Sequence, residues 1–222
     1  MARTSKLHGE EVLVVGLGRF GLSAAVELQR LGHRVTVVEK DAERAEQYAG
    51  SFAKVHHADA TTMAANERAR IQDFRIAVVA VGAIEPSVLV AANLVDAGVA
   101  SVWATAATVE HGRILERIGV HHVVRPEADA GRRVAHLVNG RLDDYIEFDD
   151  GFAIVKMPAP QETIGFTFEQ SQLRTKYGVT VIGVKSPGRE LSHALPSTRV
   201  TSQDTLIVSG PTDLIERLAE RP

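Results

Sequence analysis

Three glycines, Gly16, Gly18 and Gly21, lie in VVGLGRFG, directly after an apolar run and directly before a helix-forming segment; the next apolar run ends on an acid, Glu39. This is the G-x-G-x-x-G spacing of a phosphate-holding turn. Gly16 permits the tight turn, Gly18 lets the backbone approach a pyrophosphate, and Gly21 lets helix and strand pack closely. The helix N-terminus adds unpaired N–H groups and partial positive charge. Glu39 suits ribose hydroxyls and would repel a 2′-phosphate, so NADP is not the expected ligand. Arg19 stands inside the turn. Backbone amides suffice for the pyrophosphate of a hydride carrier, so a guanidinium there offers bidentate contact to a terminal phosphate, or to a ligand held by a neighbouring subunit. The plainer alternative is a solvated arginine at a helix start, where a cation is mildly unfavourable.

The elements that must position this turn follow from periodicity. Short β-branched runs at 11–16, 33–39, 53–59, 75–82, 99–106 and 121–126 alternate with segments carrying apolar residues at three- and four-residue spacing, several of which end in glycine. Strand and helix in alternation predict right-handed crossovers and a doubly wound parallel sheet, an α/β fold with its crevice beyond the carboxyl ends of the first and fourth strands. After EADAGRRVAHLVNG the rhythm changes. YIEFDDGFAIVKMP reads as two strands around an Asp149-Asp150-Gly151 turn, TFEQSQLRTKYG as helical, VTVIGVK and DTLIVSG as strands, and TDLIERLAER as a closing helix. A nucleotide-binding unit over 1–139 and a small α+β unit over 140–222 are expected, joined near Asn139-Gly140 without a Pro- or Ser-rich linker.

Composition narrows the function classes. A net charge of −3, with no basic run, disfavours nucleic acid as the main partner. With no cysteine, disulfides, thiolate catalysis and cysteine metal sites are excluded, in keeping with a cytoplasmic setting. MARTSKLHGEE holds no apolar run and no segment reaches ~18 apolar residues, so neither a signal peptide nor a membrane span is expected. His56-His57 and His121-His122 lie within strands, where neighbours point to opposite faces and do not chelate together. Trp103 reads as packing within or at the edge of the sheet, and the acids of DDYIEFDD as solvated turn and strand ends. The residues alone leave open an NAD-dependent oxidoreductase with a small substrate domain, a nucleotide sensor without catalysis, and an NAD-binding redox sensor that pairs with DNA. The first needs a proton-transfer residue that the C-terminal unit does not offer in any recognisable arrangement; the third lacks a basic recognition helix.

In order along the chain, GLGRFG, LGH before the second strand, DAT at 59–61, VAVGA at 79–83, LERIGV at 115–120, RPEADAG at 125–131 and LRTKYGVTVIGVK resemble the two lobes of RCK (regulator of K+ conductance, KTN/TrkA-type) proteins. Nearly the whole chain is similar to a regulatory subunit of bacterial Ktr/Trk potassium transporters, nearest the Ktr type. The resemblance implies a cytoplasmic protein, peripheral at the inner face of the membrane through an integral K+-translocating subunit, forming homodimers that assemble into an octameric ring. It implies ATP, ADP or NAD(H) in the N-lobe crevice. Gly16, Leu17, Gly18, Arg19, Phe20 and Gly21 would then surround the phosphates, with Arg19 reaching a γ-phosphate. Glu39 and Lys40 would border the ribose, Asp59, Ala60 and Thr61 the adenine, and Gly82 and Ala83 would close the crevice. Where some relatives place a lysine beside the phosphates after the fifth strand, this chain has Thr105, one cation fewer. Glu127, matching the glutamate of the family's P-E-x-D-x-G motif, would help hold Mg2+ or Ca2+; its other reading is an acid stabilised in a first helical turn. Some relatives bind cyclic di-AMP in the C-lobe. Arg174, Thr180, Val181 and Pro196 would line that cleft, the alternative for Arg174 being a solvated cation at a helix end.

Overall fold

The computed structural model describes residues 9–148 and 151–221, so the Asp149-Asp150 part of the expected turn lies outside the described residues. The chain divides into two compact units between Glu127 and Ala128. In the first, strands β1 (Glu11–Val15), β2 (Arg34–Glu39), β3 (Lys54–His57), β4 (Ile76–Val79), β5 (Ser101–Thr105) and β6 (His122–Val124) alternate with helices α1 (Arg19–Arg30), α2 (Ala42–Gln47), α3 (Met63–Ala69), α4 (Ile84–Asp96) and α5 (Val109–Arg117). The sheet is parallel throughout, in the order β3-β2-β1-β4-β5-β6. The order reverses between β1 and β4, the switch point at which such sheets open a crevice.

β1 reads as an unbroken apolar run because both its faces are covered: Val12, Leu13 and Val14 have no exposed surface. Leu13 belongs to one core cluster with Val79, Ala91 and Leu115, while Val14 belongs to the other with Leu17, Ala25 and Val37. Truncating Leu13 to alanine would cost about 2–5 kcal/mol through lost transfer and cavity terms. The glycines after α1, α4 and α5 stop these helices by a shared device. At Gly32, Gly98 and Gly119, with φ of 90°, 77° and 93°, paired amides reach back to the last-turn carbonyls, as with His33 N–H to Leu28 O at 3.0 Å.

The second unit contains most of α6 (Pro126–Leu137), β7 (Asp144–Phe148), β8 (Phe152–Pro158), α7 (Phe168–Ser171), α8 (Leu173–Tyr177), β9 (Thr180–Lys185), β10 (Ser192–His193), β11 (Thr205–Pro211) and α9 (Thr212–Ala219). Its sheet is antiparallel in the order β10-β9-β11-β8-β7. Alternate residues such as Ala153, Val155 and Met157 face a core shared with Leu206, Ile215 and Leu218. Three features differ from the sequence expectation. The division falls ahead of Asn139-Gly140 because α6 is tied to its own unit: His136 stacks on Tyr145 at 3.9 Å and Arg133 pairs with Asp144 at 2.7 Å. The helix expected over TFEQSQLRTKYG breaks at Gln172, a left-handed residue with φ of 51° that ends α7 and begins α8. The two-residue β10 carries no period long enough to read.

Candidate functional site

The glycine turn is built by its neighbours. Gly16 has φ of 92°, and a Cβ there would lie 2.7 Å from the Ala80 carbonyl oxygen; a Cβ on Gly21 would overlap the Gly16 carbonyl oxygen. Those two positions are glycine because the fold leaves no room. Gly18 is different: its backbone is ordinary (φ −62°, ψ −178°), and a Cβ would meet nothing within 4 Å. Gly82, after β4, is equally open. Both line a cavity of about 370 Å³ at the switch point. α1 and α4 start beside it with Gly18 and Ala83 as caps and no side-chain hydrogen bond. By contrast α2, α3 and α5 are capped by Asp41, Thr62 and Thr108. The amides of α1 and α4 are therefore left to water or a ligand, and they favour an anion.

Glu39 ends β2 beneath the turn and is only 5% exposed. One carboxylate oxygen accepts the Leu17 N–H at 2.5 Å and the other the Asp41 N–H at 2.8 Å. Arg44, from α2, lies 3.6 Å away. Next to Glu39 in the chain, Lys40 pairs with Asp59 at 2.8 Å, and Thr61 donates its hydroxyl and amide to Asp59 at 2.7 and 3.1 Å. Lys40 first, then Thr61, hold the Asp59 carboxyl down at about 2. Val15, Val38, Ala58, Pro86 and Val90 supply apolar walls, so the cavity combines apolar lining with a few polar groups such as Glu39, Lys40 and Asp59.

Residues 12–126 match the model of the TrkA-N domain. The chain belongs to the TrkA-N domain family. It is 30% identical over 214 residues to the Ktr system potassium uptake protein A of Bacillus subtilis (strain 168), covering 96% of each chain. It is likewise 30% identical over 210 residues to the protein of that name from Vibrio alginolyticus, covering 94% of this chain and 96% of the other. The GsuK RCK domain superposes with a TM-score of 0.68 at 19% identity over 98% of this chain and 49% of its own, a likeness of fold.

Within this TrkA-N unit, Gly16, Gly18, Glu39, Lys40, Asp59, Ala60, Thr61, Gly82 and Ala83 line one cavity. Other expected site residues lie elsewhere. Leu17 contributes its amide to Glu39, but its side chain is buried in the core. Arg19 is exposed as the first residue of α1, next to the rim at Gly18. Phe20 faces away from the crevice, into a separate apolar groove with Leu28, Leu31, Ile76 and Trp103, because consecutive helical residues turn about 100° apart. Thr105 directs its hydroxyl toward the Val79 carbonyl at 3.5 Å and does not border the cavity. Glu127 is exposed in the first turn of α6, and no group of three or more His, Cys, Asp or Glu side chains gathers for a metal among the described residues. In the second unit Arg174, Thr180, Val181 and Pro196 do line one cleft, of about 480 Å³.

Sequence reasoning missed Arg44, Pro86 and Val90. Arg44 reads as an outward helix residue; its one signal is its place three residues after the cap Asp41, in the turn that follows Glu39. The second histidine pair takes structural places: His121 Nδ1 accepts the Val102 N–H at 3.1 Å, and His122 stacks on Trp103 at 4.0 Å. Trp103 thus packs on the sheet face rather than at its edge. Among the described residues no helix is long and apolar enough to cross a membrane.

Proposed function

We propose that this TrkA-N protein is a nucleotide-sensing regulatory subunit that gates a membrane K+ uptake transporter without catalysing a reaction. The observation that carries the reading is the pairing of two helix N-termini without side-chain caps at one cavity whose glycines, Gly18 and Gly82, the fold itself does not demand. Such a cavity suits an adenine nucleotide, ATP or ADP, with NAD(H) as the alternative: the base between the apolar walls, the ribose near Glu39 and Lys40, and the phosphates over Gly18 with Arg19 at the end. Glu127 would contribute one ligand to a Mg2+ or Ca2+ ion on those phosphates. Two relatives named as Ktr system potassium uptake proteins support the transport context, in which this chain would be a cytoplasmic protein held at the membrane by a K+-translocating partner. Against the oxidoreductase alternative stands the chemistry of the rim. Glu39 is committed to two amides, and a carboxyl held at about 2, as Asp59 is, makes a weak general base at neutral pH.

Subunit contacts, a dimer and a ring of eight, would use apolar surface that a monomer leaves wet. In the first unit this is the Phe20–Trp103 groove, of about 450 Å³; in the second it is the exposed Val134 and Val138. The cleft around Arg174 is the candidate seat for cyclic di-AMP. Gating needs only that the nucleotide bind two ring shapes unequally, and about 1.4 kcal/mol of difference shifts the population tenfold. The test is isothermal titration of the full chain with ATP, ADP, NAD, NADH and cyclic di-AMP, with and without magnesium. Micromolar ATP or ADP binding supports the sensor. NADH binding alone, indifferent to magnesium, returns the oxidoreductase.

A further inference from the structure

The first turn of α5 is held by a side chain that titrates. Thr108 caps it, accepting the His111 N–H on Oγ1 at 3.1 Å, and His111 reaches back so that its Nδ1 accepts the Ala107 N–H at 3.2 Å. This is the reciprocal arrangement of a Thr-x-x-Glu or Thr-x-x-Gln capping box, with histidine in place of the acid or amide and its bond shifted to the residue before the cap. A backbone amide only donates, so Nδ1 is the bare nitrogen and the ring's proton sits on Nε2. The residue is 1% exposed, and Nε2 is buried without a partner among the described residues.

A second proton on that ring meets three separate obstacles. The Ala107 bond is lost, because a protonated Nδ1 is a donor facing a donor. The new charge is buried. It also stands at the N-terminal end of a helix, which disfavours a cation. Burial accordingly pushes the His111 imidazole below its ordinary range. The elements packed on α5 bring Glu85 and Asp96 from α4 and His122 from β6, and the first turns of α5 itself carry Glu110 and Arg113. None of these forms an ion pair with the ring among the described residues, so no carboxylate compensates the charge.

We propose that His111 is an acid-sensitive latch on the turn between β5 and α5: the turn is closed while the ring is neutral, and protonation breaks the box and opens the chain from Ala107 to His111. The closed form binds the proton more weakly than the open one. Closure is therefore complete above the ordinary imidazole value of about 6.5 and is lost as pH falls below it, until the closed ring itself titrates. With the open ring titrating at about 6.5, the opening equilibrium rises about tenfold between pH 7.5 and pH 5.5. The segment that opens carries Val109, an exposed apolar side chain, so acid also alters the surface that α5 offers to a neighbour.

Hydrogen exchange of the full chain at these two pH values, corrected for the intrinsic pH dependence of exchange, reads the turn directly. In wild type, opening at the Ala107 and His111 amides is expected to rise about tenfold at the lower pH, while the β1 amides hold within about twofold. His111→Gln keeps an acceptor in the box and removes the titration, so its opening should agree within about twofold at the two pH values. His111→Phe keeps the bulk and loses the acceptor, so it should open more than wild type at the higher pH and respond to acid no further. A flat response in wild type overturns the latch whatever the variants do. A rise of the same size in His111→Gln places the sensitive group elsewhere, and a rise in β1 equal to that in the turn makes the opening global; either overturns it too. His111→Phe as well protected as wild type at the higher pH removes the role given to the Ala107 bond, and the latch with it.

Discussion

Replacing Gly18 by alanine should stabilise the empty protein and weaken the bound one. Gly18 has an ordinary φ of −62° and open space where the methyl would stand, so the folded chain accepts alanine without strain. Alanine also restricts the unfolded chain, which is worth about 0.4–1 kcal/mol, or roughly 1–4 °C in the melting of the first unit. A phosphate lying against the Gly18 backbone meets that methyl. Overpacking of that kind costs about 1–3 kcal/mol, or about 5- to 150-fold in affinity. The neighbouring glycines give the control. In Gly21→Ala the methyl overlaps the Gly16 carbonyl oxygen, and in Gly16→Ala it sits 2.7 Å from the Ala80 oxygen with φ at 92°, so both should melt lower before any ligand is added. Thermal melts with and without saturating ADP, followed by titration, read both effects. If Gly18→Ala melts below wild type, the free space is not real. If it binds ADP as tightly as wild type, the glycine is not there for a ligand, and the argument from Gly18 and Gly82 fails.

Arg19→Ala should weaken ATP binding more than NAD binding, because only ATP presents a terminal phosphate to the exposed side chain; titration showing equal losses removes that role. Asp59 is held at about 2 against an ordinary 3.8, so the stability it contributes is present above about pH 4 and lost as pH falls through about 2. With one third of the side chain exposed this amounts to about 1 kcal/mol after solvent screening, and urea melts at descending pH should show the loss in wild type but not in Asp59→Asn. Glu127→Gln should abolish any magnesium enhancement of ATP binding while leaving the empty protein's melting unchanged. Phe20→Ala should reduce self-association in sedimentation, and at protein concentrations low enough for the chain to be monomeric it should leave nucleotide affinity within about twofold, because its ring lies in the apolar groove and not in the crevice.

Most of the crevice was legible because glycine spacing and strand-terminal acids report backbone constraints, which are local. Gly16, Gly21 and Glu39 occupy the places the pattern assigns them. What the pattern hides is which constraint each glycine answers: Gly21 is set by the Gly16 carbonyl and Gly18 by open space, a distinction that only coordinates make. Side-chain direction was equally hidden. Phe20 and Arg19 are consecutive in the turn, yet Phe20 lines a groove while Arg19 is exposed at the start of α1 and lines neither the groove nor the crevice. Arg44 belongs to a short helix whose sequence, AERAEQ, shows only a solvated face, and Thr105 points its hydroxyl back at its own sheet. In the second unit the alternation of β7, β8 and β11 announced their faces, whereas the left-handed Gln172 carries no residue-type signal, since glutamine rarely takes that conformation.

The same turn joins two surfaces. Gly18 opens the crevice, and two residues later Phe20 floors the apolar groove; both lie within the start of α1. Gly21 leaves α1 no slack against the sheet, because its missing Cβ is the space filled by the Gly16 carbonyl, with Ala80 Cβ only 2.9 Å from where that atom would stand. The first turn of α1 is therefore packed directly onto the glycine turn, and a shift of either would be passed to the other. On the proposed reading, a phosphate settling on the Gly18 amides and a second chain settling on Phe20 would act on those packed turns together, so their binding free energies would be independent only if the turn were already in its final place. Linkage makes the dependence symmetric: whichever nucleotide tightens the contact at Phe20 is itself held more tightly, by the same factor, once that contact is made.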